Sequence, residues 1–433
     1  MPTIAQHATG DLTSAIVAAM ASPSRPRVIA AGMIGNLLEW YDFAIYGYFA
    51  ASIGRVFFPV ADPVAQVLAA FGVFAVGYLI RPLGGALIGY IGDRYGRRAA
   101  LVFSITAMAA PTFLVGLLPG YATLGLLAPV LLTLLRVLQG LSVGGEWPTS
   151  FIFMIEQGPP GRGGLMGAVT GSGGLVGTLI GSGMGALLAD TLPRAELDAW
   201  GWRIPFLFGL VAGITGLVLR RGIHDVQQVG EVPATSPLLE TLRDHGWLVA
   251  RLGGVAAFSA VGFYLMFLYI VSWLQTVDGE PPVQALTINT ASMAAMIPVM
   301  LLAGWLSDRV GRRPVILGAL ALAFLAALPL FWLMHHPGTT DVIAGQMGFV
   351  VLIGTVVATQ PALMVEVTPY ALRCTTIALG YNICVGVLGG LTPLAATWLV
   401  YRTDMDLSPA FMAMAVAALS FVATLSFRTV AKT

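Results

Sequence analysis

Gly89–Arg98 reads GYIGDRYGRR and Gly304–Arg313 reads GWLSDRVGRR, an offset of 215 residues, about half of the 433-residue chain. Six of the ten positions are identical: two glycines, the Asp and three arginines. Each copy follows one long apolar run and precedes another, so each is a charged hairpin between two membrane helices. A looser repeat, at offsets of 209 to 211 residues, sets Glu156, Pro160 and Arg162 beside Glu366, Pro369 and Arg373. The chain therefore reads as two related halves, the usual construction of secondary transporters.

Composition points the same way. Hydrophobic residues make up 57% of the chain and charged residues 10%, far below the roughly 25% charge that coats a soluble domain. The class is an all-α integral membrane protein. A net charge of +1 supplies no basic field for nucleic acid, and no nucleic-acid module is recognisable. Cys374 and Cys384, ten apart in one apolar segment, have neither metal-ligand spacing nor an evident disulfide geometry and read as small buried hydrophobes. His7, His224, His245, His335 and His336 fall in the tail or loops. Intramembrane proton chemistry is thereby narrowed to carboxylates, and no metal or cofactor is expected.

Twelve apolar segments reach the roughly twenty residues that a span requires. They lie near 28–52, 64–91, 99–118, 122–150, 163–189, 203–221, 248–275, 284–306, 314–334, 342–366, 372–400 and 408–428. The N-terminal stretch 1–27 lacks a cationic start followed by an apolar run and reads as a cytoplasmic arm, not a cleaved signal. Two bundles, 28–221 and 248–428, then flank an inter-bundle linker at 222–247, with a tail at 429–433. Placing both termini in the cytoplasm puts 16 of the 22 Arg and Lys residues inside, four outside (Arg55, Arg194, Arg203, Arg402) and Arg81 and Arg136 in the membrane. That asymmetry is the positive-inside rule. In the fifth segment Gly167, Gly171, Gly174, Gly177, Gly181 and Gly185 recur every three or four residues. Such a face lets helix backbones approach closely, and it also permits sliding between conformations.

The hairpin pattern at Gly89–Arg98 resembles the signature loop of the major facilitator superfamily, and Arg136 followed by Gln139 and Gly140 resembles its fourth-helix motif. Gly35–Phe43 (GNLLEWYDF), Arg81-Pro82-Leu83-Gly84-Gly85, Gly144-Gly145-Glu146 and Trp200–Phe206 (WGWRIPF) together resemble the metabolite:proton symporter branch, whose members carry prolines and betaines, alpha-ketoglutarate, citrate or shikimate. The chain departs from that branch at Trp147-Pro148, where a Tyr often follows the Gly-Gly-Glu. The resemblance implies the major facilitator fold, twelve transmembrane helices in two pseudo-symmetric six-helix bundles. It also implies alternating-access transport in a bacterial inner membrane, by a monomer whose partners are a small solute, protons and lipid.

Five ionisable residues fall within or near spans of the first half: Glu39, Asp42, Arg81, Arg136 and Glu146. A charge at a helix centre costs about 2.5–3.5 kcal/mol on insertion scales, so such residues pair, titrate or face water. One reading is a buried set of ion pairs, Asp42 with Arg136 or Glu39 with Arg81. The other is proton coupling: Glu39, Asp42 and Tyr46 form one stripe of the first helix, and neighbouring carboxylates in a desolvated setting favour holding a proton. Asp42, helped by Glu39, is the expected carrier, with Glu146 a further candidate. The second half offers no midplane cation, only Tyr264, Tyr269, Trp273, Asn289, Thr359, Gln360, Tyr381 and Asn382. With Arg136, Arg81, Tyr46, Gln139 and Trp147 these suit a solute bearing one carboxylate and an apolar or cationic remainder. A betaine, an amino acid or a monocarboxylate is expected; di- or tricarboxylate symport, efflux antiport and a non-transporting sensor are the alternatives. No nucleophile with a base or metal set points to an enzyme.

The hairpins themselves carry Asp93, Arg94 and Arg97 in one copy and Asp308, Arg309 and Arg312 in the other, with Glu156, Arg162, Glu366 and Arg373 in the looser repeat. Orientation alone would need arginines but no Asp. An Asp beside a helix end can accept hydrogen bonds from a neighbouring helix N-terminus, and the resemblance implies that these groups latch the cytoplasmic side.

Overall fold

The computed structural model describes residues 25–58, 62–221, 236–336 and 338–427. Most of the expected N-terminal arm, 222–235 of the linker and the tail at 429–433 lie outside the described residues. Among those described, twelve helices are long and apolar enough to cross a membrane: α1 Pro26–Tyr48, α2 Ala65–Arg94, α3 Arg97–Leu117, α4 Leu127–Gln157, α5 Gly163–Thr191, α6 Leu197–Arg220, α7 Gly246–Thr276, α8 Val283–Val310, α9 Arg312–Met334, α10 Thr339–Val367, α11 Tyr370–Thr403 and α12 Ser408–Leu425. Two ends differ from the sequence expectation for local reasons. Phe49 leaves helical geometry at φ −95°, ψ 13°, so the first span stops and a short helix Ala50–Phe57 follows. Gly125, at φ +57°, breaks the segment before α4. The linker holds a further helix, Pro237–Asp244, that periodicity did not single out.

The two halves repeat one packing scheme. In the first, α1 packs on α5, α3 on α6 and α4, and α2 on α4; in the second, α7 packs on α11, α9 on α12 and α10, and α8 on α10. The halves meet where α2 lies on α11 and α8 on α5, again related pairs. One apolar core joins α7 through α12 and extends into the first half through Trp147, Phe151, Ala168 and Leu175. Another joins α1 to α4 and α6 around Phe57, Trp202 and Phe206.

Glycine sets how closely these helices approach. On α5, a Cβ at Gly177 would lie 2.2 Å from the Leu37 carbonyl oxygen of α1, while one at Gly164 would lie 2.6 Å from the Gly304 carbonyl oxygen of α8. The glycines of α5 thus serve a crossing within one half and a contact between halves, on different parts of one helix. Between α2 and α4 the fit is equally close: a Cβ at Gly144 would fall 2.1 Å from the Arg81 carbonyl oxygen.

Gly177→Val should destabilise the protein by about 1–3 kcal/mol, the usual cost of overpacking, read as a lower melting temperature and loss of monodisperse protein in detergent. Gly183→Ala, where a Cβ meets nothing within 4 Å, should leave both unchanged.

Candidate functional site

The two hairpins fold alike, and every identical non-basic residue in them has a structural use. Gly96 and Gly311 take φ of 97° and 111° at the turns, a region that side-chain-bearing residues rarely adopt. Gly89 and Gly304 sit where helices of opposite halves touch: a Cβ at Gly89 would lie 2.7 Å from Thr375 Cα. Asp93 accepts the amides of Cys374 and Thr375 at 3.0 and 2.8 Å, and Asp308 accepts those of Gly164 and Leu165, each at 2.9 Å. Each carboxylate therefore caps the first turn of a helix in the opposite half, where unpaired N–H groups and the helix dipole favour negative charge.

Around Asp93 the ion pairs extend across the halves. Arg97 is 3.1 Å from Asp93 and 3.2 Å from Glu156; Glu156 also accepts from Arg373 of the second half at 2.7 Å. Around Asp308 the set is shorter. Arg312 reaches Asp308 at 2.5 Å and Glu366 at 3.0 Å. Arg162, the repeat counterpart of Arg373, is exposed at the start of α5 and does not join it. The repeat breaks here, with Arg162 exposed. Arg309 lies over the Trp305 ring at 3.9 Å, and Arg94 is exposed.

Between the halves lies a small cavity, about 60 Å³, on a measure where one water needs roughly 10–15 Å³. It admits a compact solute or a few waters. Glu39 and Trp40 of α1, Arg81 of α2, Trp147 of α4, Ser259, Phe263 and Tyr264 of α7, Met296 and Met300 of α8, Gln360 of α10 and Tyr381 of α11 line it. Aromatic rings of the two halves touch around it, Trp40 with Phe263 at 5.2 Å and Trp147 with Tyr381 at 6.2 Å. Helix irregularities aim these side chains. A π-helical turn begins at Leu265, just after Tyr264, and another at Val385, while Pro148 and Pro361 follow Trp147 and Gln360 within their helices. Such interruptions often mark functional sites.

Glu39 and Arg81 are the two charged residues on the cavity wall. Glu39 is 1% exposed, and neither of its carboxyl oxygens has a hydrogen-bond partner. Arg81 donates from Nε to Asn382 Oδ1 of the second half at 3.3 Å, and its guanidinium lies 5.1 Å from the Tyr78 ring centre. Asn382 is fixed in turn by donating to the Gly144 and Ala378 carbonyls. It orients Arg81 and is not itself on the wall.

Other expected site residues are placed elsewhere. Asp42 is buried beside α3 and α4, accepting from Arg136 Nη1 at 2.5 Å and Gln139 Nε2 at 2.8 Å, with Thr112 Oγ1 2.9 Å away. The Arg136 guanidinium lies 3.7 Å from the Tyr46 ring centre, and the Tyr46 hydroxyl donates to the Ala70 carbonyl. Arg136, Gln139 and Tyr46 are not on the wall of this cavity; Arg136 Nε and Nη2 and Gln139 Oε1 have no hydrogen-bond partner, and Arg136 and Gln139 line a smaller space next to Arg81 and Tyr78. Glu146 pairs with Arg220 at 2.6 Å and accepts from Ser150. This buried pair is off the cavity wall, and Gly35 leaves room for it, since a Cβ there would lie 1.7 Å from the Glu146 carboxylate. Arg220, counted with the interior-loop cations, is 1% exposed and also donates to the Ala31 and Leu101 carbonyls. Tyr269 lies in the core of the second half, off the cavity. Trp40, Phe263, Ser259, Met296 and Met300 were missed. Of these, Met296 and Met300 carried a faint signal in their spacing of four.

The Major Facilitator Superfamily model matches residues 29–393. The proline/betaine transporter of Salmonella typhimurium is 35% identical over 422 residues, covering 93% of this chain and 83% of that protein. The glycine betaine/proline/ectoine/pipecolic acid transporter of Dickeya dadantii is 35% identical over 422 residues, covering 92% and 82%. Among solved structures, the proton:xylose symporter XylE bound to 6-bromo-6-deoxy-D-glucose superposes with TM-score 0.73 at 18% identity, covering 92% of this chain and 94% of that one. FucP in its outward conformation gives 0.66 at 13% identity, covering 93% and 99%.

Removing Arg373 should loosen the first latch, and Arg162→Ala should not. Thiol labelling of buried Cys374 checks this: Arg373→Ala is expected to raise the rate several-fold over the parent protein, with Arg162→Ala unchanged.

Proposed function

The chain belongs to the Major Facilitator Superfamily, and from that premise we propose that it imports a compact zwitterion, such as a betaine or proline, together with a proton. The observation that carries this reading is the charge content of the cavity: one carboxylate without a donor and one oriented guanidinium, framed by aromatic rings. Arg81 would take the solute carboxylate through charge-assisted hydrogen bonds. Trp40, Trp147, Tyr264 and Tyr381 present π faces to a cationic or apolar remainder. A dicarboxylate would need a second cation, and Arg136 is already held by Asp42. The names of the relatives from Salmonella and Dickeya agree with this solute class.

Glu39 is the proton site of this account, in place of Asp42. An ionised carboxylate in that setting bears a desolvation cost that a proton removes, and solute or water arriving in the cavity changes that cost directly. Asp42 has three polar neighbours and no opening to the cavity. The hairpin end is assigned to the cytoplasm of a bacterial inner membrane, following the arginine distribution. The Asp93 and Asp308 sets then hold the cytoplasmic side shut, and breaking them converts the protein to its inward-open form.

Uptake into proteoliposomes under an imposed pH gradient tests the reading. Betaines and proline should accumulate, and dicarboxylates should not. Arg81→Gln should weaken apparent solute affinity by about 10- to 100-fold, from the loss of a charged hydrogen bond of about 1.5–3 kcal/mol. Glu39→Gln should keep solute exchange while abolishing gradient-driven accumulation. Accumulation intact in Glu39→Gln but lost in Asp42→Asn would move the proton site to the Asp42–Arg136 pair.

A further inference from the structure

The helix Pro237–Asp244 belongs to none of the twelve spans, and its two faces have different surroundings. Pro237 and Thr241 are buried where the helix rests against α2 and α11, one from each half. Thr241 Oγ1 lies 3.2 Å from Thr376 Oγ1, one residue beyond Thr375, whose amide Asp93 holds. The helix therefore sits directly over the first latch.

Its outward side carries Leu239 and Leu242, 67% and 57% exposed. Three residues apart, they share one side of the helix. Single exposed leucines are ordinary, whereas two on one stripe, opposite the docked face of an eight-residue helix, form a second contact surface. Continuity identifies what covers it. Only His245 separates this helix from α7, and Trp247 in the first turn of α7 is 76% exposed. The leucine stripe thus adjoins the lipid-facing surface of a span at the depth where Trp side chains collect, the headgroup level. Charge does not favour a different occupant: Glu240, Arg243 and Asp244 sum to −1, and Arg243 lies 3.8 Å from Asp244. The helix itself carries no polybasic run to draw anionic lipid, so apolar burial is the driving term for this segment.

We propose that Pro237–Asp244 is an interfacial helix whose Leu239 and Leu242 side chains are seated in the boundary between the headgroups and acyl chains of the bilayer, above the first latch. Site-directed fluorescence tests this in the full-length protein, because Cys374 and Cys384 are both buried and the parent protein serves as the unlabelled control. Leu239→Cys, Leu242→Cys and Asp244→Cys, each carrying an environment-sensitive probe, are reconstituted in phosphatidylcholine vesicles with or without lipids bearing a spin label high on the acyl chain. The expected result is a blue-shifted emission at 239 and 242, quenched by spin-labelled lipid and shielded from aqueous iodide, with the 244 probe quenched by iodide. Iodide quenching alike at all three sites would overturn the proposal. Shielding of 239 and 242 from both quenchers would overturn it too, since protein and not lipid would then cover the stripe.

Discussion

An ionisable group carried into hydrocarbon has to be matched by a partner or by water, and among the described residues this protein applies that rule to every buried charge but those on its cavity. Asp42 has Arg136, Glu146 has Arg220, and Asp93 has Arg97 and two helix amides. Breaking a buried pair by removing one partner typically costs about 3–5 kcal/mol, so the Asp42–Arg136 and Glu146–Arg220 pairs hold the helices of the first half together. Glu39, with both oxygens lacking a donor, is the exception. In the function proposed above its partner would be a proton, water or the bound solute.

The latches obey the same rule at the hairpin end, with a different purpose. Helix amides and carboxylates from opposite halves satisfy one another, and in the transport cycle proposed above both sides would return to water when the halves part. The two latches are nonetheless unequal: Glu156 bridges Arg97 to Arg373 across the halves, whereas Glu366 pairs with Arg312 of its own half.

Much of this was legible in the residues. The duplicated GxxxDRxGRR frame located the hairpins, and each of its glycines and its Asp proved to have a distinct geometric reason. Hydropathy and arginine placement gave twelve spans, because both follow from the solvent and not from tertiary detail. Pairing was harder. Glu39 and Asp42 are three residues apart on one helix, and periodicity puts them on one stripe; only the packing of α3 and α4 decides that Asp42 meets Arg136, Gln139 and Thr112 while Glu39 meets open space. Arg220 looked like an ordinary cation closing a span, since nothing local reveals that Gly35 clears room for its pair with Glu146. Trp40 and Phe263 were missed because neither charge nor repeat singles them out, and only the approach of the two halves brings their rings together at the cavity.

The most direct measurement of the central claim reads the protonation of Glu39 itself. Infrared difference spectra of the reconstituted protein, taken with and without glycine betaine across a range of pH, should contain a protonated-carboxyl band that responds to solute, persists in Asp42→Asn and is absent in Glu39→Gln. A solute-responsive band that survives in Glu39→Gln and disappears in Asp42→Asn would contradict the account.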